Sequence, residues 1–186
     1  MMDQQPFYDY VTEHLFKGSL PAWQKEPLSL ILAEGVRRER RVTECAYVLA
    51  TAHHETARFK FMEEIGQGQG RDYGRPVTLI RGRSVTYHGR GFVQLTWLLN
   101  YLKMERKLGL KLVDNPDTVS DPEVACQIIW EGMIAGDFTG KNLADYFSDQ
   151  TTDYVNARRI VNGMDKAGLI AQYARHYDNA LRLVGT

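Results

Sequence analysis

Glu55 and Glu64 stand nine positions apart across the stretch HETARFKFMEE. Two carboxylates that close could share one active site. Hydrolysis of a glycosidic bond needs a carboxylic acid to protonate the leaving oxygen and, in inverting enzymes, a carboxylate roughly 6.5–9.5 Å away to activate water. Glu55 and Glu64 can meet that separation if a helix ends between them and the chain folds back. Glu55 closes an apolar run beside His53 and His54, and a partly buried carboxyl keeps its proton more readily, which suits an acid. Glu64 adjoins Glu63 and a glycine-rich stretch, so it is expected to be hydrated and ionised, as a base must be. Unaided, the pair also fits ordinary surface charge.

A second cluster is YHGRGFVQLTWLLNY, residues 87–101. Gln94, Thr96 and Asn100 offer amide and hydroxyl groups suited to sugar hydroxyls or an attacking water, and Tyr87, Trp97 and Tyr101 could stack on sugar rings. Trp97 and Tyr101, four apart, could equally be helix packing. Other chemistries find less support. His53, His54, Glu55 and His88 do not form the two-histidine HExxH pattern, so no metal is expected. Neither Ser84 nor either cysteine sits in a nucleophile context. The GQGQG opening of the loop lacks the preceding strand and following helix of a nucleotide cradle, and no cofactor is expected.

The elements that must position these residues are mostly helical. Apolar side chains at three- and four-residue intervals predict helices over 6–16, about 22–36 and about 43–56, the third with Thr43 as N-cap and Ala46, Leu49, Ala50 and His53 along one stripe. Arg37, Arg38, Arg40 and Arg41 close the second helix, where positive charge is favourable. From Gly66 to Gly91, seven of the sixteen glycines and five arginines fall within 26 positions. That excludes a long helix and predicts a functional loop with a short hairpin. A helical period resumes at Phe92 and ends at Gly109. Asp121 and Pro122 mark another helix start, which runs to Gly136. Short helices are expected near 140–147 and 152–161, and a last one over 165–184. The sum is a mainly α single domain, 1–186.

Apolar residues make up 44% of the chain and charged ones 25%, the balance of a globular protein. With 23 basic and 23 acidic side chains there is no global support for nucleic-acid binding. The start MMDQQPFYDY is not secretory in pattern, and no segment approaches the ~20 apolar residues of a membrane span. Synthesis in a cytoplasm is therefore expected, with Cys45 and Cys126 as reduced, buried thiols.

Taken together, three segments resemble glycoside hydrolase family 19, the chitinases and their phage-type endolysin relatives. AYVLATAHHETA is similar to the family's His-Glu-Thr segment, with Glu55 in the place of the general acid. YHGRGFVQLTWLLNY resembles YYGRGxxQLSWxxNY, with His88 replacing the second tyrosine and Thr96 the serine. ARRIVNG is similar to the segment whose asparagine, here Asn162, lies in the substrate cleft. The resemblance implies a lysozyme-like two-lobed helical fold, with the Gly/Arg-rich loop beside the active-site cleft, and single-displacement hydrolysis of a β-1,4 bond to an N-acetylated sugar. Glu64 stands where phage-type relatives place their second acidic residue, with Glu63 the fallback. Thr96 would help Glu64 hold the water, and Tyr87, Gln94, Trp97, Asn100 and Asn162 would bind substrate. Where the family often has glycines after His-Glu-Thr, this chain has Ala57 and Arg58.

Chitin and peptidoglycan share the bond geometry. The short chain, its unsecretory start and the arginines at 71, 75, 81, 83 and 90 favour peptidoglycan, and so an endolysin or muramidase, monomeric and acting on the wall after release. Chitin oligosaccharides are the alternative substrate, and a non-catalytic glycan-binding relative is an alternative of another class.

Overall fold

The computed structural model describes residues 4–79 and 82–185, so the first three residues of the start MMDQQPFYDY, and Arg81 among the loop arginines, lie outside the described residues. Six α-helices carry these residues: α1 (Gln5–His14), α2 (Ala22–Arg37), α3 (Val42–Glu55), α4 (Leu98–Leu108), α5 (Pro122–Ala135) and α6 (Ala167–Arg182). The loop holds the expected hairpin, β1 (Val77–Thr78) paired antiparallel with β2 (Ser84–Val85).

Helix α3 is the axis of the main core. Every residue from Glu44 to His53 is buried, so the predicted stripe is part of a helix enclosed on all sides. It packs chiefly on α6, whose Ile170, Ala174, Tyr177 and Leu181 share one inward face. The buried apolar side chains fall into two clusters. The larger gathers α1, α2, α3, α6 and part of α5. The smaller includes Val85, Tyr87, Leu95, Tyr101 and Met104.

Helix ends follow local chemistry. Asp121 accepts from Glu123 N at 2.9 Å and Val124 N at 3.2 Å, the predicted N-cap. Gly109 and Gly136 close α4 and α5 in the left-handed conformation that glycine tolerates best. At α3 the expectation fails: Thr43 lies inside the helix, and the Glu44 carboxylate instead accepts from Arg41 N at 3.0 Å. The arginines after α2 are paired rather than free. Arg37 and Arg38 both bond Glu34, and chiefly the Arg37 bond holds that carboxyl at about 2. Arg40 meets Glu44 and Arg41 meets Asp149.

Helix α4 begins six residues later than the period suggested. Residues 90–95 close on themselves through an Arg90–Leu95 bridge, with Gln94 at φ 51°, and that turn cannot continue as helix. The short helices expected near 140–147 and 152–161 are 3-10 turns, Leu143–Asp145 and Asn156–Ile160. Cys45 and Cys126 are free and buried, and burial pushes both thiols up to about 12.

Candidate active site

Glu55 is the last residue of α3, and the chain reverses immediately after it. Thr56 Oγ1 donates to Ala52 O at 2.6 Å and accepts from Phe59 N at 2.8 Å, turning the backbone back on the helix. Ala57, Arg58 and Phe59 all take positive φ, 49°, 65° and 62°. Two of these are the positions where the sequence has Ala and Arg in place of glycine, and non-glycine residues there cost about 1–2 kcal/mol each. Gln24 Nε2 ties the turn down by donating to Arg58 O at 2.6 Å.

The returning chain enters a small three-stranded arrangement. Glu64 N donates to Gly89 O at 2.8 Å and Gly91 N to Met62 O at 2.8 Å. Across the other side, Leu95 N reaches Arg90 O at 2.8 Å and Trp97 N reaches Tyr87 O at 2.9 Å. Residues 62–64, 87–91 and 95–97 are thereby held side by side.

That arrangement sends Glu63 and Glu64 to different neighbours. Glu63 Oε1 lies 2.6 Å from His88 Nε2 and 3.7 Å from Arg90 Nε. His88 and Arg90 are buried, and Arg90 continues to Asp117 at 2.9 Å. Glu64 instead accepts from Tyr73 OH at 2.8 Å on Oε1 and from Gly89 N at 3.1 Å on Oε2. A Cβ added at Gly89 would stand 2.8 Å from Gln94 Oε1 and 3.4 Å from Glu64 Cβ. Glu64 and Gln94 therefore converge over Gly89.

Glu55 is partly buried, and Arg158 Nη1 donates to its Oε1 at 2.5 Å. Arg158 is itself buried and sits on the 3-10 turn Asn156–Ile160, anchored by Nε on Asp165 O at 3.2 Å. Asp165 thus contributes its carbonyl here, while its side chain is exposed. His54, beside Glu55, is held below its usual value, mainly by burial. His53 is buried, with Nδ1 2.9 Å from Tyr177 OH. No group of three or more metal-binding side chains occurs among the described residues.

The remaining sequence candidates separate. Thr96 is half-buried beside Gln94, and its carbonyl accepts from Asn100 Nδ2 at 2.9 Å. Trp97 is 49% exposed, at φ 73°, with a solvent-facing ring. Asn162 is exposed at the end of the segment that carries Arg158, its Oδ1 turned back to Gly163 N. Tyr87 corrects the expectation: it is 1% exposed in the smaller core, its OH donates to Val113 O, and its ring has no face free for a sugar. Tyr101 is likewise buried, packed edge-on against Tyr87. Sequence reasoning missed Arg158 and Tyr73. Arg158 looks the same as exposed Arg159 in sequence. Tyr73 sits among glycines with nothing to announce its partner.

The family profile described as Chitinase class I, of glycoside hydrolase family 19, matches residues 35–142. An endochitinase of Arabidopsis thaliana is 32% identical over 148 residues, covering 76% of this chain and 48% of that protein. A basic endochitinase of Brassica napus is 39% identical over 87 residues, 44% of this chain and 31% of that protein. The chain thus spans half or less of these plant relatives. Among solved structures, chitinase C from Streptomyces griseus HUT6037 aligns over 100% of this chain and 77% of its own at TM-score 0.63 and 18% identity. The family 19 class IV chitinase from Zea mays covers 94% and 92% at TM-score 0.59 and 16% identity. Both share the fold.

Proposed function

Because the chain belongs to glycoside hydrolase family 19, we propose that it hydrolyses β-1,4 bonds of an N-acetylated polysaccharide, chitin first, by single displacement with Glu55 as acid and Glu64 as base. The observation that carries this reading is the pair of restrained carboxylates on either side of the fold-back. Arg158 holds Glu55 by Oε1, and Oε2 has no hydrogen-bond partner among the described residues. That oxygen is the one to deliver a proton to the leaving group. Glu64 keeps lone pairs on both oxygens beyond its two donors, and the half-buried Thr96 hydroxyl is suited to share the attacking water. Glu63 is committed to His88 and Arg90, which favours Glu64 over Glu63 as the base. Trp97 supplies an open face for a sugar ring, with Gln94, Asn100 and Asn162 as polar contacts. The two core clusters fit lobes on either side of the cleft, with the loop beside it.

The substrate expectation shifts. Peptidoglycan rested partly on five loop arginines, yet Arg90 is buried and paired with Asp117, Arg75 pairs with Asp72, and Arg83 donates to Asp114 O. The relatives named above are plant and bacterial chitinases, which favours chitin over a phage lysin's wall substrate. The test is to incubate the protein with chitin hexaose and, in parallel, purified sacculi, reduce the products with borohydride, and identify the reduced ends by mass spectrometry. Release of N-acetylglucosamine oligomers, abolished in Glu55→Gln, is expected. Muramic-acid ends from sacculi alone would restore the peptidoglycan reading, and no cleavage of either would leave a glycan-binding relative.

A further inference from the structure

We propose that Tyr73 is a positioning residue for Glu64, delivered by a glycine-built arm and coupled to substrate through Trp97. The inference rests on the reading of Glu64 as the base. Tyr73 belongs to the 3-10 turn Asp72–Gly74 inside the Gly/Arg-rich loop. Its hydroxyl donates to Glu64 Oε1 at 2.8 Å, and its ring meets Trp97 edge-on, with centroids 5.5 Å apart and planes at 75°.

The glycines of the loop have a use in this placement. A Cβ at Gly74 would collide with the Gly68 carbonyl, and one at Gly68, which is at φ 71°, would stand 2.9 Å from the Tyr73 ring. The arm therefore folds tightly on itself only with glycine at both places, and the fold turns Tyr73 inward. Burial, and then the bond to Glu64, keep the phenol above its usual value, so it stays a donor throughout the neutral range.

Glu64 is thus gripped on both oxygens, by the arm at Oε1 and by the rigid Gly89 amide at Oε2. Without the phenol, the carboxylate can rotate about its last bonds, and a misplacement on the scale of an ångström can cost about 100-fold in rate. Trp97 is where this grip meets substrate. A sugar stacked on Trp97 fixes a ring that touches Tyr73, and so holds the arm against Glu64. Binding remote from the reacting bond is then spent on aligning the base.

The test is a double-mutant cycle in steady-state kinetics on chitin hexaose with wild type, Tyr73→Phe, Glu64→Gln and the double variant. Phenylalanine keeps the ring contact, and thermal melting checks that the fold persists. Tyr73→Phe is expected to lower kcat about 10- to 100-fold with KM within about twofold, and to cost nothing further in the Glu64→Gln background. Trp97→Ala should raise KM and lower kcat together. A Tyr73→Phe variant with wild-type kcat, or one whose loss lies wholly in KM, overturns the inference while leaving the base in place if Glu64→Gln is inactive. Wild-type turnover by Glu64→Gln removes the base assignment and this inference with it.

Discussion

Glu63 and Glu64 are chemically identical neighbours, and what separates them is the company each keeps. Glu63 meets a buried histidine and lies near a buried arginine, whereas Glu64 meets a phenol and a backbone amide. Successive residues of an extended segment point to opposite sides, so the bridge between Glu63 and Arg90 is enough to aim Glu64 the other way. Glu63→Gln should therefore retain hydrolysis within about tenfold and lose about 1 kcal/mol of stability, read by chitin-oligosaccharide assay and urea unfolding. If Glu63→Gln were inactive and Glu64→Gln active, the two roles would be reversed.

At the scale of elements, local chemistry was legible and through-space pairing was not. Asp121-Pro122, Gly109 and Gly136 mark helix ends by preferences that need no tertiary context, and the structure uses all of them. The start of α4 was misread because Phe92, Leu95 and Leu98 keep a helical spacing while Arg90 and Leu95 pair with each other. Glu55, Glu64, Gln94 and Thr96 stood out as motif residues, but Arg158 reaches Glu55 across 103 positions, and no period in the sequence encodes that ion pair. The departure at Ala57 and Arg58 has a physical counterpart in their positive φ. Ala57 is exposed, so Ala57→Gly relieves left-handed strain without removing a buried side chain. The variant should gain about 0.5–1 kcal/mol after the larger unfolded-state entropy is subtracted. A drop in thermal midpoint would show that the turn does not hold this conformation in solution.

Across the whole molecule, α3 links core to chemistry: it runs through the main cluster and ends on Glu55. Its His53 is packed against Phe16 and Tyr173 and bonded to Tyr177, and burial holds it down to about 3. An unfolded histidine titrates near ~6.5, so between those values the unfolded chain binds a proton that the folded chain refuses. From this group, stability is then full above about pH 6.5 and falls on acidification by about 1.4 kcal/mol per pH unit. Thermal melting at pH 7 and pH 5 should show the drop, and His53→Phe should flatten it; an equal slope in both proteins would assign the acid sensitivity elsewhere. The claim that joins core, loop and carboxylates is inversion by Glu55 and Glu64. Proton NMR of chitin hexaose during the first minutes of hydrolysis tests it most directly: the new reducing ends should appear as the α-anomer and only later mutarotate. Initial β-anomer would mean a retaining reaction and contradict the acid/base pair.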